Sequence, residues 1–369
     1  MKTNLTSLEI HYLVKELGFL VDGKVDNIYN PKKEEFVLQF HVPSKGKQIL
    51  RIISGKLFYL ASIKELAEEP SQFCMFLRKH LGNAKLRSIK QIESERIIEF
   101  MFEKEEKKKL IVEFFGKGNI LLCDKDNIIL SALVYHKWRD RDIRAKLKYD
   151  YPKMDYNFLK LELGDLKDLF NKSEKSLVKC LAAELGLGGT YSEEVCLLNG
   201  IDKNINPDKL GEKEIKGVLK SVNDMADNKT NPMIIYENEE AKDVVPFELK
   251  IYNNLKKKEV KNYNEAFDYY FLNHFKEEKP KTKKEMEIEK LIRRLEQQRK
   301  AIEGLEKQEA EERKKADLIY QNYSLIGEIL KELKKATTKY SWKDIEVRLK
   351  GHKVIKSVNP KEKEIEIEV

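Results

Sequence analysis

The sequence has 369 residues, 41% hydrophobic and 36% charged, with 71 Lys and Arg against 63 Asp and Glu for a net charge of +8. That much apolar material builds a core of about two or three folding units, and so mild a basic excess excludes a blanket polyanion coat, so nucleic-acid contact should be local. No apolar run approaches the roughly 18 residues of a membrane span, Lys2–Leu20 lacks a signal-peptide core, and Cys74, Cys123, Cys180 and Cys196 form no CxxC, which points to reduced, buried thiols in a cytoplasmic protein.

Thr6–Leu17 reads as a helix opened by the capping box Thr6-x-x-Glu9. EEFVLQFHV, KQILRIIS and KLFYLAS follow as alternating or apolar runs. Phe73, Phe76, Leu77 and Leu81 recur at helical spacing with Arg78 and Lys79 among them, and Gly82 stands where that helix should stop. RIIEFMF, KLIVEFF and NILLCDKDNIILSAL then read as strands, with Asp124–Asn127 as a hairpin turn. Residues 1–165 are therefore expected to form an α+β domain on an antiparallel sheet or sandwich.

From about Leu166 the period becomes helical. Short helices flank Leu185-Gly186-Leu187-Gly188-Gly189, and Asn206-Pro207 reads as an N-cap followed by proline at the first helical position. MIIYE and PFELKIY are candidate returning strands within 166–275. Lys281–Lys335 carries a heptad repeat whose a and d positions are apolar except Gln298, Glu309 and Glu312. A continuous helix there would span roughly 80 Å and form a coiled-coil arm over 276–336, with homodimerisation one way to cover its seam. In 337–369, SWKDIEVRLK, KVIKSV and EIEIEV read as strands at the arm tip.

Four constellations carry candidate chemistry. Gly186, Gly188 and Gly189 between short helices fit a helix–hairpin–helix, whose backbone N–H groups and helix N-terminus suit a phosphate; a tight structural turn explains them equally well. Glu95-Arg96 opens a strand, where a plain surface ion pair is the competing account. Gly116-Lys117-Gly118-Asn119 is a turn with one cation and lacks the spacing of a nucleotide-binding P-loop. His136–Lys153 interleaves Lys137, Arg139, Arg141 and Arg144 with Trp138, Tyr149 and Tyr151, a mixture that suits phosphate contact and base stacking as well as it suits a solvated loop. The six histidines lie far apart, so no metal site is expected.

In order, TSLEIHYLVKEL, VDNIYNP, SQFCMFLRKHLG, SERIIEF, EFFGKGNI, LGLGGTYSEEVCLLNGID and NEAFDYYF give a chain that resembles the NFACT family over about its first three-quarters. The resemblance implies an N-terminal sandwich like that of the formamidopyrimidine-DNA glycosylases. It also implies a factor that binds large ribosomal subunits carrying peptidyl-tRNA and recruits aminoacyl-tRNA, so that the stalled chain gains a C-terminal tail. Peptide bonds would form on the ribosome, so neither catalytic residues nor a cofactor is expected in this chain, and neither a membrane nor DNA is an expected partner. Glu95-Arg96 falls where the family shows Asp-Arg, and Glu9 where it shows Asp; both changes keep the charge and move the carboxylate. The expected tRNA- or ribosome-binding residues are thus Glu9, Arg78, Lys79, Glu95, Arg96, Lys117, Asn119, Lys137, Trp138, Arg139, Arg141 and Arg144. The family continues into a returning helix and a C-terminal nucleic-acid-binding domain, so this chain is expected to be an N-terminal part. The rival functions are a coiled-coil scaffold or a general RNA-binding protein without a tailing role, a surface adhesin, as some bacterial members are labelled, and a DNA glycosylase. The last needs an N-terminal proline and an adjacent glutamate, where this chain reads Met1-Lys2-Thr3.

Overall fold

A computed structural model describes residues 2–62, 69–137, 141–152, 154–274, 283–350, 352, 354–360 and 362–367. The chain falls into two compact units, Met1–Glu277 and Glu278–Val369.

The first unit opens with α1 (Ser7–Glu16), capped by Thr6 through the expected box. Strands β1 (Lys24–Lys32), β2 (Glu35–Val42), β3 (Gly46–Ile53) and β4 (Leu57–Leu60) form one antiparallel meander. Helix α2 (Gln72–Leu81) stops at Gly82, where a Cβ would lie 2.6 Å from the Arg78 carbonyl oxygen. Strands β5 (Lys85–Gln91), β6 (Ile97–Glu103), β7 (Lys107–Glu113), β8 (Asn119–Asp124) and β9 (Ile129–Ala132) form the second meander. Asp124 holds the β8–β9 turn by accepting from the N–H groups of Asp126 and Ile128 at 2.9 and 2.8 Å.

The meanders join into one nine-stranded antiparallel sheet in the order β4-β3-β2-β1-β5-β6-β7-β8-β9, with Lys24 opposite Lys85 at the β1–β5 seam. That narrow seam lets the halves face each other. Phe40 of β2 stacks on Phe102 of β6 with ring centroids 6.4 Å apart, and Phe58 of β4 meets Phe114 at 5.3 Å. Strands β1 and β5 carry bulges, at Val25/Asn27 and Tyr29/Lys32 in one and at Leu86/Ser88 in the other, which break the alternation by which strands are read from sequence. Ile97, Ile111, Leu121 and Cys123, on the far face of the second meander, are covered by Ile143 of β11 (Asp142–Ile143), which pairs with the short strand β10 (His136–Lys137), and by Tyr149 beyond it. Burial on both faces is why β6–β8 read as near-continuous apolar runs.

Next come α3 (Leu163–Lys172), the single turn α4 (Leu177–Lys179), a π-helical turn Cys180–Glu184, α5 (Gly189–Asn199) and α6 (Glu212–Asp227). Pro207 opens only the 3-10 turn Pro207–Lys209, and the following long helix starts later, at α6, where the Gly211 N–H is received by Glu214. MIIYE becomes β12 (Met233–Glu237), but its partners are β13 (Glu240–Val245) and β14 (Lys256–Glu259); PFELKIY is not a strand, because Glu194 accepts from the N–H groups of Lys250 and Ile251 at 2.8 Å and draws that stretch into a 3-10 turn. Helix α7 (Tyr263–His274) packs on β4, β12 and α1, its first N–H groups capped by Glu16. One hydrophobic cluster includes Phe100, Leu166, Val218, Ile234 and Phe267, so the core runs unbroken from the sheet into the helical part.

In the second unit the heptad segment divides into α8 (Lys283–Gln321) and α9 (Tyr323–Thr337), interrupted at Asn322, whose φ of −109° and ψ of 21° are not helical. The expected continuous helix is therefore corrected to a 39-residue piece of about 58 Å and a shorter one. SWKDIEVRLK is α10 (Trp342–Leu349), not a strand. Ser341 and Asp344 form a capping box, and Ile345 is buried beside Ile355 of β15 (Ile355–Asn359), which pairs with β16 (Glu364–Ile367) as expected.

Candidate functional site

A cleft of about 820 Å³ lies between the start of α1, the β5–β6 turn and the glycine turn before α5. The first wall is stapled from within. Gln91 donates from Nε2 to the Ser7 carbonyl and hydroxyl oxygens at 3.0 and 2.8 Å and to the Glu95 carbonyl at 2.9 Å, while the Ser7 hydroxyl donates to the Ser94 carbonyl. The opposite wall is set by the π-helical turn, where Gly188 N–H donates to the Ala182 carbonyl at 3.2 Å. Gly188 has φ +82°, and a Cβ there would sit 2.7 Å from the Thr6 methyl. Backbone conformation and close approach both require glycine. Gly186 and Gly188 thus line the same cleft as Glu95 and Arg96, while Gly189 begins α5 without close neighbours.

The Glu95-Arg96 pair is half-buried. Burial pushes the Glu95 carboxyl up, opposed by the Arg96 backbone amide and charge; burial likewise pushes the Arg96 guanidinium down, opposed by Glu95. The two side chains form no salt bridge, and among the described residues Arg96 has neither an ion-pair nor a hydrogen-bond partner for its side chain. A desolvated, unspent guanidinium beside a carboxylate offers a donor fork and an acceptor to a polar, anionic ligand. On the cleft's rim Lys172 is paired with Asp168 at 2.7 Å, and Asp168 also accepts from Tyr156 at 2.8 Å.

Glu9 lies beneath this surface, 1% exposed. Its Oε2 accepts from Thr6 N–H at 2.8 Å, and its Oε1 accepts from Lys2 Nζ at 2.5 Å and the Tyr191 hydroxyl at 2.9 Å. It is a structural carboxylate within the cap, with no face open to RNA. Its partners Lys2 and Tyr191 carry no local sequence signal, since Lys2 lies outside the capping box and Tyr191 is on a distant helix.

The remaining expected residues are scattered. Asn119 is 2% exposed and spent on Val134 and Ile120, so it closes the β8–β9 hairpin and has no free amide for RNA. Its neighbour Gly118 lies against Gly55 so closely that a Cβ would fall 1.9 Å from the Gly55 nitrogen; Gly118 serves backbone contact, Gly116 only the positive φ of the turn, and Lys117 remains exposed. Arg141 pairs with buried Glu113, which also accepts from Tyr149 at 2.7 Å, and its guanidinium lies over the Tyr149 ring at 5.2 Å; it pins the segment to the sheet and does not face outward. Arg144 is exposed and paired with Asp142, Lys137 is exposed, and Trp138 and Arg139 lie outside the described residues. Arg78 donates to the Ile28 carbonyl at 2.6 Å, and Lys79 is exposed beside it. Among the described residues no helix is long and apolar enough to cross a membrane, and no cluster of metal-ligating residues occurs. All four cysteines are free and buried.

Residues 6–366 match the model for the NFACT N-terminal and middle domains. The chain is 34% identical over 96% of its length to the archaeal Rqc2 homolog aRqcH of Methanocaldococcus jannaschii, of which it spans 55%. It is 29% identical over 60% of its length to the human ribosome quality control complex subunit NEMF, of which it covers 21%. In fold it is similar to the N-terminal part of the fibronectin/fibrinogen-binding protein from Streptococcus suis, with a TM-score of 0.59 at 21% identity over 73% of this chain and all of that one. The chain thus spans about half or less of the curated relatives it matches, and the match of residues 6–366 to the domain model shows that it belongs to the NFACT family.

Proposed function

We propose that this chain acts in ribosome-associated quality control, binding obstructed large ribosomal subunits that carry peptidyl-tRNA and recruiting aminoacyl-tRNA for C-terminal tailing of the stalled chain. The observation that carries this reading is Arg96, half-buried and unspent beside Glu95, facing the glycine turn across the cleft. The names of the relatives support the same role. RNA would meet Glu95, Arg96 and the N–H groups around Gly186 and Gly188, with Gly189 opening the second helix of a helix–hairpin–helix. Exposed Lys79, Lys117, Lys137 and Arg144 would add phosphate contacts outside the cleft. The protein positions RNA and supplies no bond-making group. The apolar seam of α8, with Leu291, Ile302, Leu305 and Ile319 each more than half exposed, is read as the coiled-coil face of the arm. Crosslinking in cells followed by sequencing of the attached RNA tests the reading. Enrichment of tRNA and large-subunit RNA is expected; recovery of RNA in proportion to its abundance refutes it.

A further inference from the structure

Beneath the cleft, and not lining it, lies a buried cluster of three charges. The Lys2 ammonium donates to Glu9 Oε1 at 2.5 Å, Asp243 Oδ1 at 2.6 Å and the Val244 carbonyl at 2.8 Å, which uses all three of its N–H groups. The three side chains are 8%, 1% and 11% exposed. Burial by itself would lower the Lys2 pKa, but the two carboxylates outweigh it and hold the ammonium charged well above its ordinary value. With one cation and two anions the cluster carries an extra negative charge. Hydroxyls complete it: Tyr191 donates to Glu9 at 2.9 Å and Tyr252 to Asp243 at 2.7 Å, and burial raises both phenols so that they donate without ionising.

This cluster touches both walls of the cleft. Glu9 Oε2 holds the N–H of Thr6, the residue whose methyl meets Gly188, and Glu9 Oε1 holds Tyr191 in the first turn of α5. Lys2 ties that carboxylate back to β13 through Asp243, and its own backbone N–H donates to the Tyr270 hydroxyl of α7 at 2.7 Å. We infer that Lys2 is a positioning residue: its ammonium fixes the Glu9 carboxylate at the junction of α1 and α5 and so sets the spacing between the glycine turn and Arg96. The inference rests on the tRNA reading of the cleft. Without the ammonium, Glu9 and Asp243 are two buried carboxylates with no counter-charge, and they must separate or take up a proton. Either change lets the Thr6 and Tyr191 contacts move.

The test is the affinity of the full chain for a tRNA transcript, measured far below the melting temperature, with hydrogen exchange followed over Gly186–Tyr191. Lys2→Met keeps the apolar stem and removes the charge. It should lose affinity by roughly 10- to 100-fold, by analogy with the loss seen when a group that orients a metal-ligating side chain is removed, and exchange over Gly186–Tyr191 should quicken while melting stays cooperative. Lys2→Gln, which keeps two donors, should lose less, and it carries the test if Lys2→Met does not fold. A purely structural ion pair would lower the melting temperature and leave the affinity of the folded protein unchanged; that result overturns the inference. Arg96→Ala separates the two ideas. If it weakens binding while folded Lys2→Met does not, the positioning role alone fails. If neither weakens binding, the tRNA reading fails with it.

Discussion

Replacing Gly188 by alanine tests the architecture of the cleft. Gly188 sits at φ +82° and ψ 162°, a conformation that is essentially glycine-only, so alanine should cost about 1–3 kcal/mol in backbone strain. Its methyl would also lie 2.7 Å from Thr6 Cγ2 and 3.3 Å from Thr6 Cβ, an overpacking worth roughly 1–3 kcal/mol. The sum is a loss of about 2–6 kcal/mol, read as a lower urea midpoint at constant m-value. The two contributions can be separated. Thr6→Ser removes Cγ2 and keeps a hydroxyl able to cap the Glu9 N–H, since serine caps helices at least as well as threonine. In that background Gly188→Ala should cost less, by up to the steric share, giving a coupling energy of about 1–2 kcal/mol between neighbours. An identical cost in both backgrounds would refute the close approach of the two walls. A cost of Gly188→Ala below about 1 kcal/mol would refute the required backbone conformation as well.

Arg96→Ala should reduce tRNA affinity by about 1–3 kcal/mol and leave the melting curve in place, because among the described residues its guanidinium makes no hydrogen bond or ion pair to lose; unchanged binding in a filter or anisotropy assay would remove Arg96 from the site. His11 is held neutral down to about 4 by burial and the Lys15 ammonium, below its ordinary 6.5. A group whose pKa is depressed on folding is stabilising when neutral, so its contribution is full above pH 6.5 and is lost as pH falls from there toward 4. His11→Gln should therefore flatten the fall in stability between pH 6.5 and 4 in urea titrations, and an unchanged slope would show that His11 does not drive it. The exposed α8 seam should make the chain self-associate as concentration rises, since leaving such side chains wet forgoes about 1.5–3 kcal/mol for each that could be fully buried; light scattering that shows a monomer up to near-millimolar protein would sink this.

Much of the architecture is written locally. Thr6 and Glu9 start α1, Gly82 ends α2, and Asp124–Asn127 turns β8 into β9, because caps and turns depend on side chains that reach only a few residues along the chain. The strong β6–β8 runs are legible because burial on both faces leaves no polar alternation to misread. Bulges break the alternation of β1 and β5 and hide them, and α10 reads as a strand because its capping box and its single buried isoleucine are weaker cues than its scattered β-branched residues. Of the site, Glu95-Arg96 and the glycine turn could each be singled out in the sequence, but their meeting in one cleft could not. Tertiary structure alone decided that Glu9 is buried on Lys2 and Tyr191, that Arg141 is spent on Glu113 and that Gly118 is needed for Gly55. Each of these contacts joins residues that no short-range pattern links, and each exists only after the sheet has folded onto itself and the helices have closed over its end. Local propensity selects the elements; burial of charge and the close approach of backbones, which depend on how distant segments pack, determine which of the candidate residues are left free to bind.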